Sequence, residues 1–158
     1  MRNRADVRRR LGTALLVFGS VACADALGPE RDELAAARAR WALTGADDYR
    51  FDLQRSCFCA SDFVRPVRIE VLGGTVSSAA YADTGEPVPA PLTSVPTIDD
   101  LFDEIQDAVD RMASSIVAEY DPGVGYPRSV SIDYIANAID DEMAFTVSSF
   151  QLLDTAGS

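Results

Sequence analysis

The 158 residues carry 25 acidic and 14 basic side chains, a formal net charge of −11, and no histidine. Every basic residue is arginine, so Ser-His-Asp, Cys-His and Schiff-base lysine mechanisms are excluded within the chain. The acidity also argues against a basic face for nucleic acid. We expect no cofactor and no nucleic-acid partner, and only carboxylate chemistry remains for catalysis by the chain alone.

The first 22 residues have the layout of an export signal. Arginines at positions 2, 4, 8, 9 and 10 precede a mostly apolar stretch of 12 residues, Leu11 to Ala22, and small residues follow. A positive start, a short apolar core and a small-residue cleavage site define a secretory signal. The stretch is shorter than the about 20 residues that span a bilayer. Residues 1–22 are therefore predicted to be a signal peptide.

The cleavage site resembles the bacterial lipobox. Val21, Ala22 and Cys23 match that pattern, whereas Ser20 stands where leucine is usual. The resemblance implies a lipid on Cys23 that anchors the chain to the cell envelope, at the outer membrane or cell surface. The alternative is a freely secreted or periplasmic protein. Residues 23–29 then form the lipid attachment and tether, and residues 30–158 a single domain. Residues 23–158 together contain 24 acidic and 9 basic residues.

The first half of that domain predicts one helix and three strands. Pro29 favours a helix start, and the helix is predicted over Glu30–Thr44, with Leu34, Trp41 and Ala42 on one face and Gly45 at its end. Alternating apolar and polar residues predict strands at Tyr49–Gln54 and Val67–Val71. Gly73-Gly74 is typical of a hairpin turn, and Thr75–Tyr81 is predicted to be the returning strand.

The second half repeats that order of elements. Residues 83–96 hold four prolines and a glycine and are predicted to be a loop. Thr97 can cap a helix over residues 98–113, and its apolar face is predicted to contain Ile98, Leu101, Phe102, Ile105, Ala108, Val109 and Met112. Strands are predicted at Ile116–Tyr120, Ser129–Ile135 and Met143–Leu152.

This order predicts an α+β fold with an antiparallel sheet of about five to six strands. The helix over residues 98–113 packs on one face of the sheet. The other face is either covered by the N-terminal helix or exposed.

Several landmarks occur in a fixed order between residues 41 and 150. They are Trp41, Tyr49-Arg50-Phe51, Cys57-Phe58-Cys59, Val71-Leu72-Gly73-Gly74, Thr97 to Phe102, Tyr120-Asp121, Gly125-Tyr126-Pro127, Ile132-Asp133 and Asp140-Asp141-Glu142. In this order they resemble a family of small bacterial secreted and lipid-anchored proteins classed only as a domain of unknown function. The resemblance implies export and a single domain, and it carries no activity.

Cys57 and Cys59 are candidates for a disulfide. Residues two apart on a strand point to the same face, and thiols outside the cytoplasm oxidise where geometry allows. A bridge within a C-x-C pair closes a strained ring. The alternatives are two buried thiols, or a metal or redox role.

The helix over residues 98–113 carries a candidate partner-binding surface. Asp99, Asp103 and Asp107 are spaced four residues apart along one side. They form either a solvated face or a docking surface for a basic partner. Tyr126, beside Pro127, either packs its turn or offers an aromatic contact to a partner.

A last group of carboxylates consists of Asp133, Asp140, Asp141 and Glu142. They are weak candidates for calcium ligands across a hairpin, although turn chemistry also explains Asp140-Asp141. The function predicted first is a non-catalytic module that binds an envelope protein or a peptide. A calcium-binding module is the alternative, and a carboxylate-dependent hydrolase ranks third.

Overall fold

A computed structural model describes residues 27–56, 64–136 and 142–153. Helix α1 is Gly28–Thr44 and helix α2 is Ile98–Asp110. The strands are β1 Tyr49–Ser56, β2 Val67–Leu72, β3 Thr75–Tyr81, β4 Ser115–Tyr120, β5 Pro127–Asp133 and β6 Glu142–Leu152. They form one sheet of six strands, ordered β3-β2-β1-β6-β5-β4, with every neighbouring pair antiparallel. The predicted α+β class and sheet are confirmed.

Both helices lie on the same face of the sheet. Strands β3 and β4 are consecutive in the chain but form opposite edges, so the segment between them crosses the sheet and carries α2 over it. Helix α1 packs against α2 and β4, and both helices share one core with the buried strand residues. We call this the helix-bearing face, and the opposite one, which neither helix covers, the bare face.

The buried stripe of α1 differs by one residue from the predicted one. Leu34, Ala37 and Trp41 are buried, whereas Ala42 is exposed. Residues spaced three and four apart align on a helix, and Ala42 lies roughly 80° round from Leu34 at 3.6 residues per turn. The prediction that Ala42 shares the apolar face is wrong for that reason.

Helix α2 begins with a capping box. The Asp100 backbone N–H donates to the Thr97 hydroxyl at 3.1 Å, and the Thr97 N–H donates to the Asp100 carboxylate at 2.8 Å. The Ile98 N–H donates at 3.2 Å to the hydroxyl of buried Tyr49 in β1. The N–H groups of Thr97, Ile98 and Asp100 at the helix start are thereby satisfied.

The end of α2 corrects a second prediction. The helix stops at Asp110, and Met112 has a φ of 54°. This left-handed residue turns the chain out of the helix, so Met112 is 79% exposed rather than on the apolar face. The other predicted apolar positions of α2 are all buried.

A bulge in β6 determines which face its last residues occupy. The β1–β6 register shifts between Arg50 and Asp52, at Ser149, whose φ is 53°. The extra residue changes the alternation, so that Val147 and Phe150 both face the core although they are three residues apart. Strict alternation would place Phe150 on the bare face.

The bare face is mostly polar and mostly exposed. Asp52 is the exception, because it is buried beneath Arg68, the residue opposite it on β2. The Arg68 guanidinium donates two hydrogen bonds to this carboxylate, at 2.8 and 3.0 Å. A bidentate pair of this kind satisfies a buried charge, so Asp52 has a structural role.

Candidate functional site

An apolar groove of about 430 Å³ opens on the helix-bearing face at the β3 side of the sheet. Its floor consists of Leu53, Val67 and Tyr81. Leu53 is directly opposite Val67, and Val67 is directly opposite Tyr81. Residues opposite one another in antiparallel strands point to the same face, so the three side chains form one row across β1, β2 and β3.

The wall of the apolar groove is the proline-rich segment between β3 and α2. Gly85, with a φ of 75°, reverses the chain, and its N–H donates to the Tyr81 carbonyl at 2.7 Å. The returning chain pairs with the outer edge of β3, where the Val88 N–H donates to the Ala79 carbonyl at 3.2 Å. Val88 therefore lies beside the floor, and Pro89, which has no N–H, ends this pairing.

The wall continues to the start of α2. A 3-10 turn over Leu92–Ser94 leads to Val95 and Pro96, which also line the apolar groove. The sequence predicts residues 83–96 only as a loop. The structure shows that this loop covers an edge strand and forms half of a cavity.

Two arginines flank the apolar groove, and each has a carboxylate partner. Arg55 donates two hydrogen bonds to Glu104 of α2, at 2.8 and 2.9 Å. Arg65 pairs with Asp83 at 2.7 Å and lies 3.7 Å from the centre of the Tyr81 ring. The Arg65 guanidinium holds the pKa of the Asp83 carboxyl below its usual value. The apolar groove is thus bordered by balanced ion pairs, one of them stacked on its aromatic floor.

A second groove, of about 450 Å³, lies between α1 and β4 at the opposite edge of the sheet. We call it the edge groove. Glu33 and Arg40 line it from α1, and Glu119 and Tyr120 line it from β4. Burial raises the pKa of the Tyr120 phenol to about 12, and the nearby Glu33 carboxylate adds to that effect.

The three aspartates predicted as a docking surface on α2 are exposed, and each already accepts a hydrogen bond within the domain. Asp99 accepts from Trp41 Nε1 at 3.2 Å, Asp103 from Arg38 at 2.8 Å, and Asp107 from Arg111 at 3.2 Å. A basic partner would have to displace these donors. The contacts favour the interpretation of a solvated face, and docking there stays a prediction.

Tyr126 packs against the domain instead of extending from it. Its ring stacks on Phe150 with centroids 4.4 Å apart, and burial raises the pKa of its phenol. The Asp121–Gly125 turn before it is held by the Asp121 carboxylate, which accepts from the Gly123 and Val124 N–H groups. The ring is half-buried, which favours the packing interpretation over a partner contact.

The candidate calcium ligands are only partly within the described residues. Asp133 and Glu142 face each other across the β5–β6 register. One Asp133 carboxylate oxygen is buried and has no hydrogen-bond partner in the described part of the chain. Asp140 and Asp141 lie outside the described residues. Among residues 27–56, 64–136 and 142–153, no three His, Cys, Asp or Glu side chains form a group that could hold a metal.

The three cysteines, Cys23, Cys57 and Cys59, also lie outside the described residues. The predicted lipid attachment and the predicted Cys57–Cys59 disulfide therefore stay predictions. No helix within the described residues is long and apolar enough to cross a membrane.

A family model described as "Family of unknown function (DUF6174)" matches residues 33–152. The match extends from the first turns of α1 to the end of β6 and so includes both grooves. No curated protein and no solved structure matches the chain. The family assignment agrees with the resemblance seen in the sequence and brings no activity with it.

Proposed function

We propose a binding role for this chain, which belongs to the DUF6174 family. The domain acts as a non-catalytic module that takes up a peptide or a segment of an envelope protein in the apolar groove. A lipid on Cys23 holds the domain at the envelope surface. The observation that carries the proposal is the cavity formed by Leu53, Val67, Tyr81 and the proline-rich wall.

The lining of the apolar groove suits an apolar side chain of a partner. Fully burying a Leu, Val or Phe side chain contributes about 1.5–3 kcal/mol, and the cavity volume lies within the usual range for binding sites. The ion pairs of Arg55 and Arg65 provide polar groups at the border, where the backbone of a bound peptide would lie. Because no carboxylate lines this groove within the described residues, the arrangement supports binding rather than carboxylate-dependent hydrolysis.

Peptide selection tests this proposal directly. A displayed library of random peptides is selected on the purified protein, and the enriched peptides are measured by calorimetry against two variants. Val88→Gln places an amide in the apolar groove, whereas Leu43→Gln makes a comparable change at an exposed position on α1. We expect Val88→Gln to weaken binding about tenfold or more, which corresponds to a loss of about 1.4 kcal/mol or more in binding free energy. Leu43→Gln is expected to leave the affinity unchanged. Equal affinity for all three proteins would refute the groove as the site.

The anchor is tested by the intact mass of the protein extracted with detergent from a bacterial envelope. We expect a chain that begins at Cys23 and carries a lipid-sized mass, and we expect Cys23→Ser to abolish that mass. An unmodified chain lacking residues 1–22 would show free secretion instead. With Cys23 blocked by lipid, a gain of two hydrogens on reduction would demonstrate the Cys57–Cys59 disulfide.

Calcium binding is the second candidate. It is favoured by the buried Asp133 oxygen opposite Glu142, which has no hydrogen-bond partner among the described residues. Two facing carboxylates can share a hard cation through oxygen ligands. If this function holds, calcium raises the Tm of the wild-type protein and fails to raise that of Asp133→Asn. A Tm that does not respond to millimolar calcium would remove this candidate.

A further inference from the structure

The two edge strands of the sheet differ in whether a neighbouring segment of the described chain pairs with their outer edge. The outer edge of β3 is covered by the returning segment, through the Val88 N–H bond to Ala79 and a bridge between Ala80 and Pro87. Within the described residues, no strand pairs with the outer edge of β4. An uncovered edge strand presents unpaired N–H and C=O groups that another strand can bind.

Strand β4 has the features of a strand that can be extended. It pairs with β5 without interruption from Ser115 to Glu119, and it contains neither proline nor glycine. Val117, at its middle, points to the bare face and is 63% exposed. Natural edge strands are usually blunted by a central charge, a proline or a bulge, and β4 has none of these at its centre.

We propose that β4 pairs antiparallel with β4 of a second copy of this chain, about a two-fold axis through Val117. The axis fixes the register, because residues whose numbers sum to 234 then lie opposite each other. Val117 faces the partner's Val117, and Ser115 faces the partner's Glu119. The two sheets join into one of twelve strands, twice the six of the monomer.

The sequence of β4 complements itself in this register. The exposed Val117 side chains cover each other on the bare face, and each Glu119 carboxylate lies opposite a serine hydroxyl that can donate to it. Moving the axis by one residue in either direction keeps the faces aligned but sets Val117 against Glu119 or Ser115. An apolar cross-strand pair stabilises more than either of those pairs, and no like charges oppose each other in the proposed register.

The edge groove provides space beside the added strand. The charged residues that line the edge groove are two acids and two bases: Glu33, Glu119, Arg40 and Arg128. A chain with a net charge of −11 thus meets its copy at a locally balanced surface, which limits repulsion.

The interface is small, since each copy contributes one strand of six residues and its flanks. Small interfaces give weak and reversible association. We therefore expect a dimer whose dissociation constant lies in the micromolar range.

Sedimentation equilibrium of the full chain in a density-matched detergent tests the proposal. We expect the wild-type protein to pass from monomer to dimer with concentration. Val117→Lys and Val117→Glu each set like charges opposite each other at the axis, so each variant alone is expected to be monomeric. An equimolar mixture of the two is expected to recover the dimer at low salt, because residue 117 of one copy then faces the opposite charge on the other.

The control is Leu72→Lys, which introduces the same charge at a bare-face residue that is 43% exposed on β2, away from β4. This variant is expected to dimerise as the wild type does. The recovery by mixing also separates loss of pairing from loss of folding. A wild-type protein that stays monomeric at its highest soluble concentration, or a Val117→Lys variant that still dimerises, would overturn the proposal.

Discussion

Gly125→Ala is expected to be the most damaging single-methyl addition among the glycines of the described residues. A Cβ at Gly125 would overlap the Ala37 carbonyl oxygen and would lie 2.9 Å from both the Arg40 Cβ and the Trp41 nitrogen. These atoms belong to α1 and cannot move independently of the helix. Inserting a methyl into such a contact costs about 1–3 kcal/mol. Glycine thus lets the turn before Tyr126 touch the helix.

The backbone of Gly125 adds a second cost. Its φ of 96° lies where a side chain is strained, at about 1–2 kcal/mol for a non-glycine residue. The reduced freedom of alanine in the unfolded chain offsets about 0.4–1 kcal/mol. The sum predicts a loss of about 2–4 kcal/mol in the free energy of unfolding, a large share of the about 5–15 kcal/mol typical of a domain.

Urea unfolding measures this loss, followed by circular dichroism and by the fluorescence of Trp41, the single tryptophan of the chain. Gly85→Ala is the matched control, because Gly85 also has a positive φ, 75°, but a Cβ there meets nothing within 4 Å. We expect the control to lose only the backbone part, about 1 kcal/mol. If Gly125→Ala lost no more than Gly85→Ala, the close contact between the turn and α1 would be refuted.

Three further predictions concern polar groups of the core and its border. Tyr49→Phe removes the acceptor of the Ile98 N–H and is expected to cost about 1–3 kcal/mol in urea unfolding. Tyr120→Phe removes a hydroxyl that makes no hydrogen bond within the described residues, so it should lower the free energy of unfolding by less. An equal loss in the two variants would contradict the role of Tyr49 as a cap. Burial raises the pKa of Tyr49 and of Tyr120 to about 12 in the folded protein, above the about 10 of an unfolded tyrosine. The unfolded chain therefore loses protons first, so stability should fall between about pH 10 and 12, and the fall should be shallower in either phenylalanine variant. A double-mutant cycle of Arg55→Met and Glu104→Gln should give a coupling of about 1–2 kcal/mol, since this bidentate pair is mostly shielded from solvent; a coupling near zero would show that the pair contributes no stability.

The elements of this fold were predictable from sequence because their signals are local. The Thr97 cap, the 3 and 4 spacing of α2 and the alternation in β1 and β2 each lie within a few residues, and the structure confirms them. The wrong assignment of Ala42 comes from its angle around α1. What sequence patterns miss elsewhere is a single residue that changes the direction of the backbone. Met112 and Ser149 both have positive φ without being glycine. Each redirects the residues after it, which apolar spacing does not reveal.

The site was harder to predict than the fold because it depends on non-local register. Leu53 and Val88 are 35 positions apart in the sequence, and they line one cavity only because β1, β2 and β3 pair as they do and the chain folds back along β3. The sequence offered one signal of this site, the apolar residues Val88 and Val95 within the proline-rich loop. Apolar residues in a loop indicate that the loop packs against another part of the domain. The acidic stripe of α2 was visible in the sequence. The ion pair between Asp103 of α2 and Arg38 could not be predicted, because it requires α1 to pack on α2.

The two proposed surfaces should act independently, because they lie at opposite edges of one sheet. Strands β3 and β4 are separated by five inter-strand spacings, or about 24 Å at about 4.8 Å each. Changes this far apart without shared partners usually add. Val88→Gln should therefore weaken peptide binding about tenfold or more and leave dimerisation intact, whereas Val117→Lys should abolish dimerisation and leave peptide binding intact. If Val117→Lys weakened peptide binding as well, the apolar groove would depend on the dimer, and the four strands between β3 and β4 would have to transmit that change.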